Sequence, residues 1–319
     1  MEDNINMKIG ISQCLLGEPV RYDGGHKLDR YLRDVLGRFV QWVPVCPEVE
    51  CGLPTPRESM HLVGDPAAPR LVTTRTGIDH TGRMRAWSEK RLAELAGEGL
   101  CGFVFKTRSP SSGMRDIKIY DETGKNVRHR GAGLFAGAFM DRFALIPVED
   151  EGRLHDMGLR ENFIERAFVF ARWLHYEATD GSQKGLIDFH SDHKLLIMAH
   201  SPKDLETLGN LVARGKAIPP ETLKREYITT LMAALRLKAT PRKNTNVLDH
   251  CMGYFKKQLS TGEKKELREV IDDYHSQLVP LIVPVTLIRH YTRLHSEPYL
   301  MRQKYLYPHP KELMLRNHV

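Results

Sequence analysis

Residues 7–17, MKIGISQCLLG, carry the pattern that decides the fold of the first half of this 319-residue chain. Residues 7–13 are short and rich in apolar and β-branched side chains, which predicts a strand that ends beside Cys14. Similar runs follow at residues 39–45 (FVQWVPV), 101–106 (CGFVFK) and 144–148 (ALIPV). Residues 80–96 and 131–143, which lie between them, have helical spacing. This alternation predicts an α/β domain with a doubly wound parallel sheet of Rossmann or flavodoxin-like type.

The second half of the chain has a different pattern. Six segments with helical periodicity and no convincing strand follow residue 151, at residues 159–176, 186–200, 202–214, 220–239, 246–259 and 262–277. Proline at the predicted start of several of them fits the first position of a helix. We therefore expect an α/β domain at residues 1–150 and an all-α domain at residues 151–319, joined by a linker near residues 148–159.

Composition narrows the class of protein. Hydrophobic residues make up 41% and charged residues 27%, as in ordinary globular proteins and unlike disordered or collagen-like chains. The longest apolar stretch, residues 278–288, is interrupted by two prolines and is shorter than the roughly 20 residues of a membrane span. The first residues, MEDNINMKIG, lack a secretory signal. These features predict a cytoplasmic, soluble protein that does not bind membranes.

Positive charge is concentrated in the second half. Residues 1–150 contain 21 Lys and Arg against 20 Asp and Glu, whereas residues 151–319 contain 26 against 20. A polyanionic partner is therefore expected on the helical domain. Solvated helix faces explain an excess of this size about as well.

Cysteines and serines follow the predicted strands of the first half. Cys14 follows the first strand, Cys46 and Cys51 follow the second, and residues 105–113 (FKTRSPSSG) follow the third. Ligands of open parallel sheets bind outside the carboxyl ends of the strands, so these segments are expected to meet at one place. Thiolates in a reducing compartment favour zinc or iron–sulfur clusters.

The spacing of the cysteines favours iron over zinc. The chain has no Cys-x2-Cys knuckle, whereas the Cys46-x4-Cys51 spacing occurs in iron–sulfur proteins. Three thiolates on a cluster would leave one iron open for a substrate. The competing interpretation is that a cysteine is simply a small buried hydrophobe; Cys101 and Cys251 fit that interpretation best. A zinc-stabilised nucleotide hydrolase is a further alternative.

These motifs together resemble a known family. Residues 14–17 (CLLG), 21–24 (RYDG), 46–48 (CPE) and the FK…SPS loop are similar to the thiouracil desulfidase (TudS-like) family over about residues 7–148. The second half resembles the YbgA-type helical domain through residues 188–190 (DFH), 194–201 (KLLIMAHS), 252–257 (MGYFKK) and 305–308 (YLYP). The fusion resembles the RudS-type desulfidases, which act on 4-thiouridine in tRNA.

The resemblance implies a 4Fe-4S cluster held by three cysteines, with the fourth iron open to the thiocarbonyl sulfur of the base. Cys14 and Cys46 match two ligand positions. Glu48 matches the catalytic acid/base and Ser109 the residue that places the base. The remaining positions assigned to substrate binding are Arg21, Lys106, Arg108 and Ser111.

One position departs from the family pattern. The third cluster cysteine of the family lies in a Ser-Pro-Ser-Cys-Gly loop, and here that position is Ser112. Serine oxygen is a hard ligand and a poor substitute for a thiolate. We expect Cys51 to be the third ligand; the alternative is that Ser112 is an engineered or inactivating change.

The sequence thus predicts an iron–sulfur-dependent desulfidase that converts 4-thiouridine in tRNA to uridine and releases sulfide. The alternative is a non-catalytic tRNA- or RNA-binding protein that has lost its cluster through Ser112. A dinucleotide cofactor is not expected, because Gly131-x-Gly133 is an incomplete fingerprint that fits close helix packing. His190, His193 and His200 are expected to form core hydrogen bonds rather than a metal site.

Overall fold

The computed structural model describes residues 7–318. These residues divide into two compact units, residues 7–159 and 160–318. The boundary falls at the end of the linker predicted near residues 148–159.

The first unit contains a four-stranded parallel sheet, called sheet A here. Its spatial order is β2-β1-β5-β8, and every neighbouring pair is parallel. The strands are β1 (Lys8–Ser12), β2 (Gln41–Val45), β5 (Leu100–Phe105) and β8 (Val148–Asp150). The chain moves outward from β1 in both directions, which is the doubly wound arrangement expected from the sequence. The predicted α/β class is confirmed.

The last strand of sheet A lies further along the chain than predicted. The apolar run at residues 144–148 suggested a strand there, but residues 144–147 belong to the turn after the preceding helix, and Ile146 N–H donates to the Phe143 carbonyl. Strand β8 instead includes Glu149 and Asp150, which are buried. Arg153 pairs with Glu149 at 2.7 Å, and its N–H donates to Asp150, so these acidic side chains have partners in the interior.

Aromatic side chains fill the space between sheet A and two helices, α2 (Thr81–Ala96) and α3 (Leu134–Arg142). Phe103 stacks on Phe105 with ring centroids 4.3 Å apart, and Phe135 and Phe139 pack against both rings. Gly10 of β1 permits this packing, because a Cβ atom there would lie 2.2 Å from the Phe103 ring.

A second, mixed sheet was missed from the sequence. Sheet B has the order β4-β3-β6-β7 and comprises β3 (Met60–Val63), β4 (Arg70–Thr73), β6 (Ile117–Tyr120) and β7 (Val127–Gly131). One face packs on helix α2 through Leu62, Leu71, Ile117, Ile119 and Met84. Its strands have four or five residues and β7 (VRHRG) is almost fully exposed, so no apolar run marked them.

The second unit is helical throughout, as predicted. Its helices are α4 (Met157–Thr179), α5 (Gln183–His200), α6 (Pro202–Ala213), α7 (Pro220–Leu235), α8 (Pro241–Tyr254), α9 (Thr261–His275), α10 (Ile282–Leu294) and α11 (Pro298–Arg302). Ser201 and Thr240 cap α6 and α8, each followed by proline at the first helical position. No helix among residues 7–318 is long and apolar enough to cross a membrane.

The histidines of helix α5 are core residues, as expected. His190 hydrogen-bonds the Tyr227 hydroxyl at 3.1 Å, and His193 the Phe189 carbonyl at 2.7 Å. His200 contacts Glu165 of α4 at 2.6 Å, and Glu165 also pairs with Arg316 at 3.1 Å. This network joins α4, α5 and the C-terminal segment within the second unit.

Candidate functional site

A cavity of about 630 Å³ lies at the carboxyl ends of β1, β2 and β5. This volume is typical of small-molecule sites. Its position is the one expected for an open parallel sheet, at the point where the strand order reverses. Eight of the residues singled out from the sequence line it: Cys14, Arg21, Cys46, Glu48, Lys106, Arg108, Ser109 and Ser112.

The two cysteines come from separate strands. Cys14 lies on the short 3-10 turn Gln13–Leu16 directly after β1, and Cys46 directly precedes the four-residue helix α1 (Pro47–Glu50). Burial, with a smaller contribution from the nearby Glu48 carboxylate, raises the pKa of the Cys14 thiol to about 11 and that of Cys46 to about 12. A bound metal would oppose this effect, because its positive charge stabilises thiolate.

Glu48 connects the second strand to the serine loop. Its Oε1 accepts hydrogen bonds from Ser109 Oγ at 3.3 Å and from Ser111 Oγ. Its Oε2 lies 3.7 Å from Cys46 Sγ. The carboxylate is thus held by two hydroxyls next to a candidate metal ligand, a position suited to proton transfer at the cavity.

The serine loop is itself fixed by helix α3. The Ser111 carbonyl accepts hydrogen bonds from Phe135 N–H at 3.0 Å and Ala136 N–H at 3.1 Å. A Cβ atom at Gly133 would lie 2.6 Å from the Ser111 backbone, so glycine is needed for this close approach. Loop carbonyls therefore occupy the amide groups at the start of α3. This supports the packing interpretation of Gly131-x-Gly133.

Ser112 and Cys51 lie in different environments. Ser112 is 3% exposed and lines the cavity with both cysteines, and within residues 7–318 its hydroxyl has no hydrogen-bond partner. Cys51 is outside the cavity lining. Its side chain packs at the edge of the sheet B core, and its Sγ donates to the Glu48 carbonyl at 3.2 Å. The structure does not bring Cys51 to the other two cysteines.

The cationic residues predicted to bind substrate differ in whether they already form ion pairs within the protein. Lys106 lines the cavity, but its Nζ pairs with Glu151 and donates to the Thr107 carbonyl at 3.1 Å. Arg21 lies 3.4 Å from Asp23. Arg108 is exposed and has no ion pair among the described residues. Arg108 is therefore the most available of the three for an anionic substrate group.

Arg57 is a cavity residue that sequence reasoning missed. Its guanidinium lies 3.9 Å from Glu48 Oε2 and donates to the Val20 carbonyl at 3.1 Å. Both side chains are nearly buried, at 8% and 12% exposure, so the charge of Arg57 acts at short range on the carboxylate. No motif marked Arg57, because it enters the site from the loop before sheet B.

Two thiolates and one hydroxyl of this cavity fit the ligand requirements of an iron–sulfur cluster. Cys14 and Cys46 are soft ligands, and the Ser112 hydroxyl is a hard oxygen donor that is free to bind. In the part of the chain that the structure describes, no three His, Cys, Asp or Glu side chains form a metal site. The Ser112 hydroxyl is therefore the candidate for a third protein ligand at this cavity.

Comparison with known proteins separates the two halves. Residues 9–151 match the family described as 2-thiouracil desulfurase, and residues 194–310 match the family described as DUF1722, a protein of unknown function. The uncharacterised protein YbgA of Escherichia coli K12 is 33% identical over 146 residues, which are 45% of this chain and 86% of YbgA. The uncharacterised protein YbbK of Bacillus subtilis 168 is 29% identical over 152 residues, 46% of this chain and 97% of YbbK.

A solved structure is also similar. The 4Fe-4S-dependent thiouracil desulfidase TudS is 32% identical in sequence, with 49% of this chain and 97% of that chain covered and a TM-score of 0.40. Every residue that lines the cavity described above, except Gly152, lies within the region matched by the desulfurase family. Residues 9–151 therefore match the 2-thiouracil desulfurase family, and the chain belongs to the YbgA-like DUF1722 family through its second half.

Proposed function

We propose that this protein is a 4Fe-4S-dependent desulfidase that removes sulfur from 4-thiouridine in tRNA. The observation that carries the proposal is the meeting of Cys14, Cys46 and Glu48 with the serine loop in one cavity. The match of residues 9–151 to the 2-thiouracil desulfurase family supports the reaction class. The cofactor is supported by the soft thiol donors and by the similarity to TudS, a 4Fe-4S-dependent desulfidase that is 32% identical in sequence.

Cys14 and Cys46 would hold the cluster, with the Ser112 oxygen as third protein ligand. Ser112 supports this role because it is buried, lines the cavity beside both thiols and has a hydroxyl without a partner. When bound, a cluster with one open iron supplies a thiophilic site for the thiocarbonyl sulfur.

Glu48 would handle the proton. The net reaction replaces sulfur by oxygen at the ring carbon: one water molecule is consumed, and the sulfur leaves as hydrogen sulfide. Glu48 can take the proton of the attacking water at one carboxylate oxygen and return it to the leaving sulfur or the ring. Ser109 and Ser111 hold the carboxylate in place, and the Arg57 guanidinium lies 3.9 Å from its Oε2.

A base in tRNA must leave its stack to reach this cavity, and a thiolated base at an unpaired position can do so at modest cost. Arg108, at the rim, is available for the attached ribose phosphate. The helical domain is proposed to contribute to RNA binding through its excess of positive charge.

Anaerobic reconstitution tests the proposal. We expect about four iron atoms per chain and sulfide release from tRNA containing 4-thiouridine; the Cys46→Ala variant should lack the cluster. Ser112→Ala should lower iron retention and Ser112→Cys should raise it. Equal iron content in both Ser112 variants would remove Ser112 from the ligand set.

A non-catalytic RNA-binding protein is the second candidate. It is favoured because, within residues 7–318, no three His, Cys, Asp or Glu side chains are arranged so that they could hold a metal ion. A protein that takes up no iron yet binds tRNA would support this candidate and overturn the desulfidase proposal.

A further inference from the structure

A second cavity, of about 540 Å³, lies on the outer face of sheet B. We call it the sheet B cavity. It shares Met60, Arg108 and Pro110 with the cavity at the ends of sheet A, so the two cavities lie side by side. A substrate that extends beyond one base would pass from the first cavity into the second.

The sheet B cavity is cationic. Arg108, Lys118 and Arg130 line it, opposed by a single lining carboxylate, Asp116, which pairs with Arg115 at 3.8 Å. None of the three cations forms an ion pair with any described residue. Their charge is therefore available to a ligand.

Two of these cations face each other across a strand pair. Lys118 of β6 is directly opposite Arg130 of β7 in the antiparallel register. Like charges at directly opposed positions destabilise a sheet. Two unpaired cations held together at one wall of a cavity are a favourable site for an anion such as a phosphodiester group.

An aromatic surface lies beside the cations. Tyr120 follows Lys118 by two residues on the same face of β6 and also lines the cavity. Its ring meets that of His61 edge-on, with centroids 5.3 Å apart, and both side chains are only partly buried. Aromatic side chains on a sheet face, flanked by Lys and Arg, are the arrangement used to bind single-stranded nucleic acid.

We propose that the sheet B cavity binds the RNA nucleotide that flanks the thiolated base, with its phosphate on Lys118 and Arg130 and its base on Tyr120. This inference rests on the proposed function, because the sheet B cavity is adjacent to the cavity that takes the thiolated base. It assigns RNA contacts to the first unit, whose net charge gives no sign of them.

The test measures binding of the full chain to a single-stranded RNA oligonucleotide with one internal 4-thiouridine, across a series of salt concentrations. Lys118→Ala/Arg130→Ala should weaken binding on the order of tenfold and reduce the slope of log affinity against log salt by about 0.7, the value for one phosphate of a single strand. Tyr120→Leu should weaken binding with little change in that slope, because stacking releases no counterions.

The matched control is Arg38→Ala/Lys90→Ala, which removes the same charges from exposed positions outside both cavities. It should bind as the wild type does. The double variant of the cavity should keep a melting temperature no lower than the wild type, since it removes an unfavourable pair. Affinity and slope equal to those of the control would overturn the inference, as would a wild type that does not bind the RNA.

Sulfide release from free 2-thiouracil separates this inference from the proposed function. A wild type that binds the RNA through Lys118 and Arg130 but releases no sulfide from any thiolated substrate leaves the binding site standing and overturns the desulfidase. Release from 2-thiouracil that is unchanged in the double variant, with release from RNA reduced, supports both.

Discussion

Glu48 in the first unit and Glu165 in the second are carboxylates with several polar partners, and they differ in what surrounds those partners. Glu165 is 3% exposed and is enclosed by His200 and Arg316. Glu48 accepts hydrogen bonds from Ser109 and Ser111, and it also lines an open cavity. A hydrogen-bond network that is buried on every side stabilises the fold, whereas a network that borders an open cavity can act on a ligand there.

Two carboxylates of the second unit show how buried partners change a pKa. Burial alone would raise the pKa of Glu165, but His200 and Arg316 outweigh it and hold that pKa well below its usual range. Neighbouring Glu161 has weaker compensation, and burial raises its pKa to about 7. The same interior thus contains one carboxylate that stays ionised and one that favours its proton.

Glu48→Gln is expected to have the largest effect of any change at these carboxylates. Sulfide release should fall on the order of 10²- to 10⁴-fold, because glutamine cannot exchange the proton. Iron content and melting temperature should stay those of the wild type. Glu89→Gln, at an exposed position on α2, is the control. Activity within twofold of the control would show that Glu48 is not the acid/base.

Glu165→Gln should have the opposite effects to Glu48→Gln: it should lower stability and leave sulfide release unchanged. Removing one member of a buried ion-pair network typically costs about 3–5 kcal/mol of folding free energy. Here the buried His200 would lose its carboxylate partner, and Arg316 would keep Glu161, 3.1 Å from its Nε, as its ion-pair partner among the described residues. Hydrogen exchange should increase in α4, α5 and the C-terminal segment, while sulfide release from free 2-thiouracil at low temperature is retained. Glu206→Gln, exposed on α6, should change neither measurement. Unchanged exchange would contradict a structural role.

The pH dependence of stability should separate Glu161 from Glu165. Glu165 has a lowered pKa, so its contribution is complete above the ordinary value of 4.5 and is lost as pH falls below that value. Glu161 has a raised pKa, so its contribution is complete below 4.5 and is lost as pH rises to about 7. Denaturant unfolding of Glu161→Gln should therefore lack the decline between pH 4.5 and 7. A decline equal to that of the wild type would assign it to another group.

Cys51→Ser should have the smallest effect, and it extends the comparison to the cysteines. Cys51 packs at the edge of the sheet B core rather than in the cavity, so iron content should be unchanged and stability should fall by no more than about 1 kcal/mol. Iron quantification in Cys51→Ser tests this prediction, with Cys46→Ala measured alongside as the variant that should lose iron. Loss of iron in Cys51→Ser would restore Cys51 as the third ligand.

Local sequence patterns predicted much of the molecule. Apolar runs located three of the four strands of sheet A, and helical periodicity located the helical unit. The strand–loop boundaries pointed to Cys14, Cys46 and Glu48, which share one cavity. These predictions succeeded because strand ends of a parallel sheet meet at one edge whatever the loops between them do.

The features that were missed depend on contacts distant in the sequence. Sheet B was not predicted because its short strands have few apolar residues. The placement of Lys118 opposite Arg130 depends on the register of β6 and β7, which local sequence patterns do not specify. Arg57 has no motif around it and is recognised only by its distance to Glu48. Net charge did not point to the sheet B cavity, because its cationic lining lies in the unit with nearly balanced charges.

The amino-acid sequence alone determined the two-part organisation, the parallel sheet and the segments that carry the chemistry, since periodicity and turn residues act over a few neighbouring positions. Only the tertiary structure decided between Ser112 and Cys51 as the residue beside the two thiols. Both follow a strand of the first unit, but Ser112 is held in the cavity by the serine loop on α3, whereas Cys51 is turned toward the sheet B core. Such a choice depends on the direction of a side chain in packed space, which spacing along the chain does not specify.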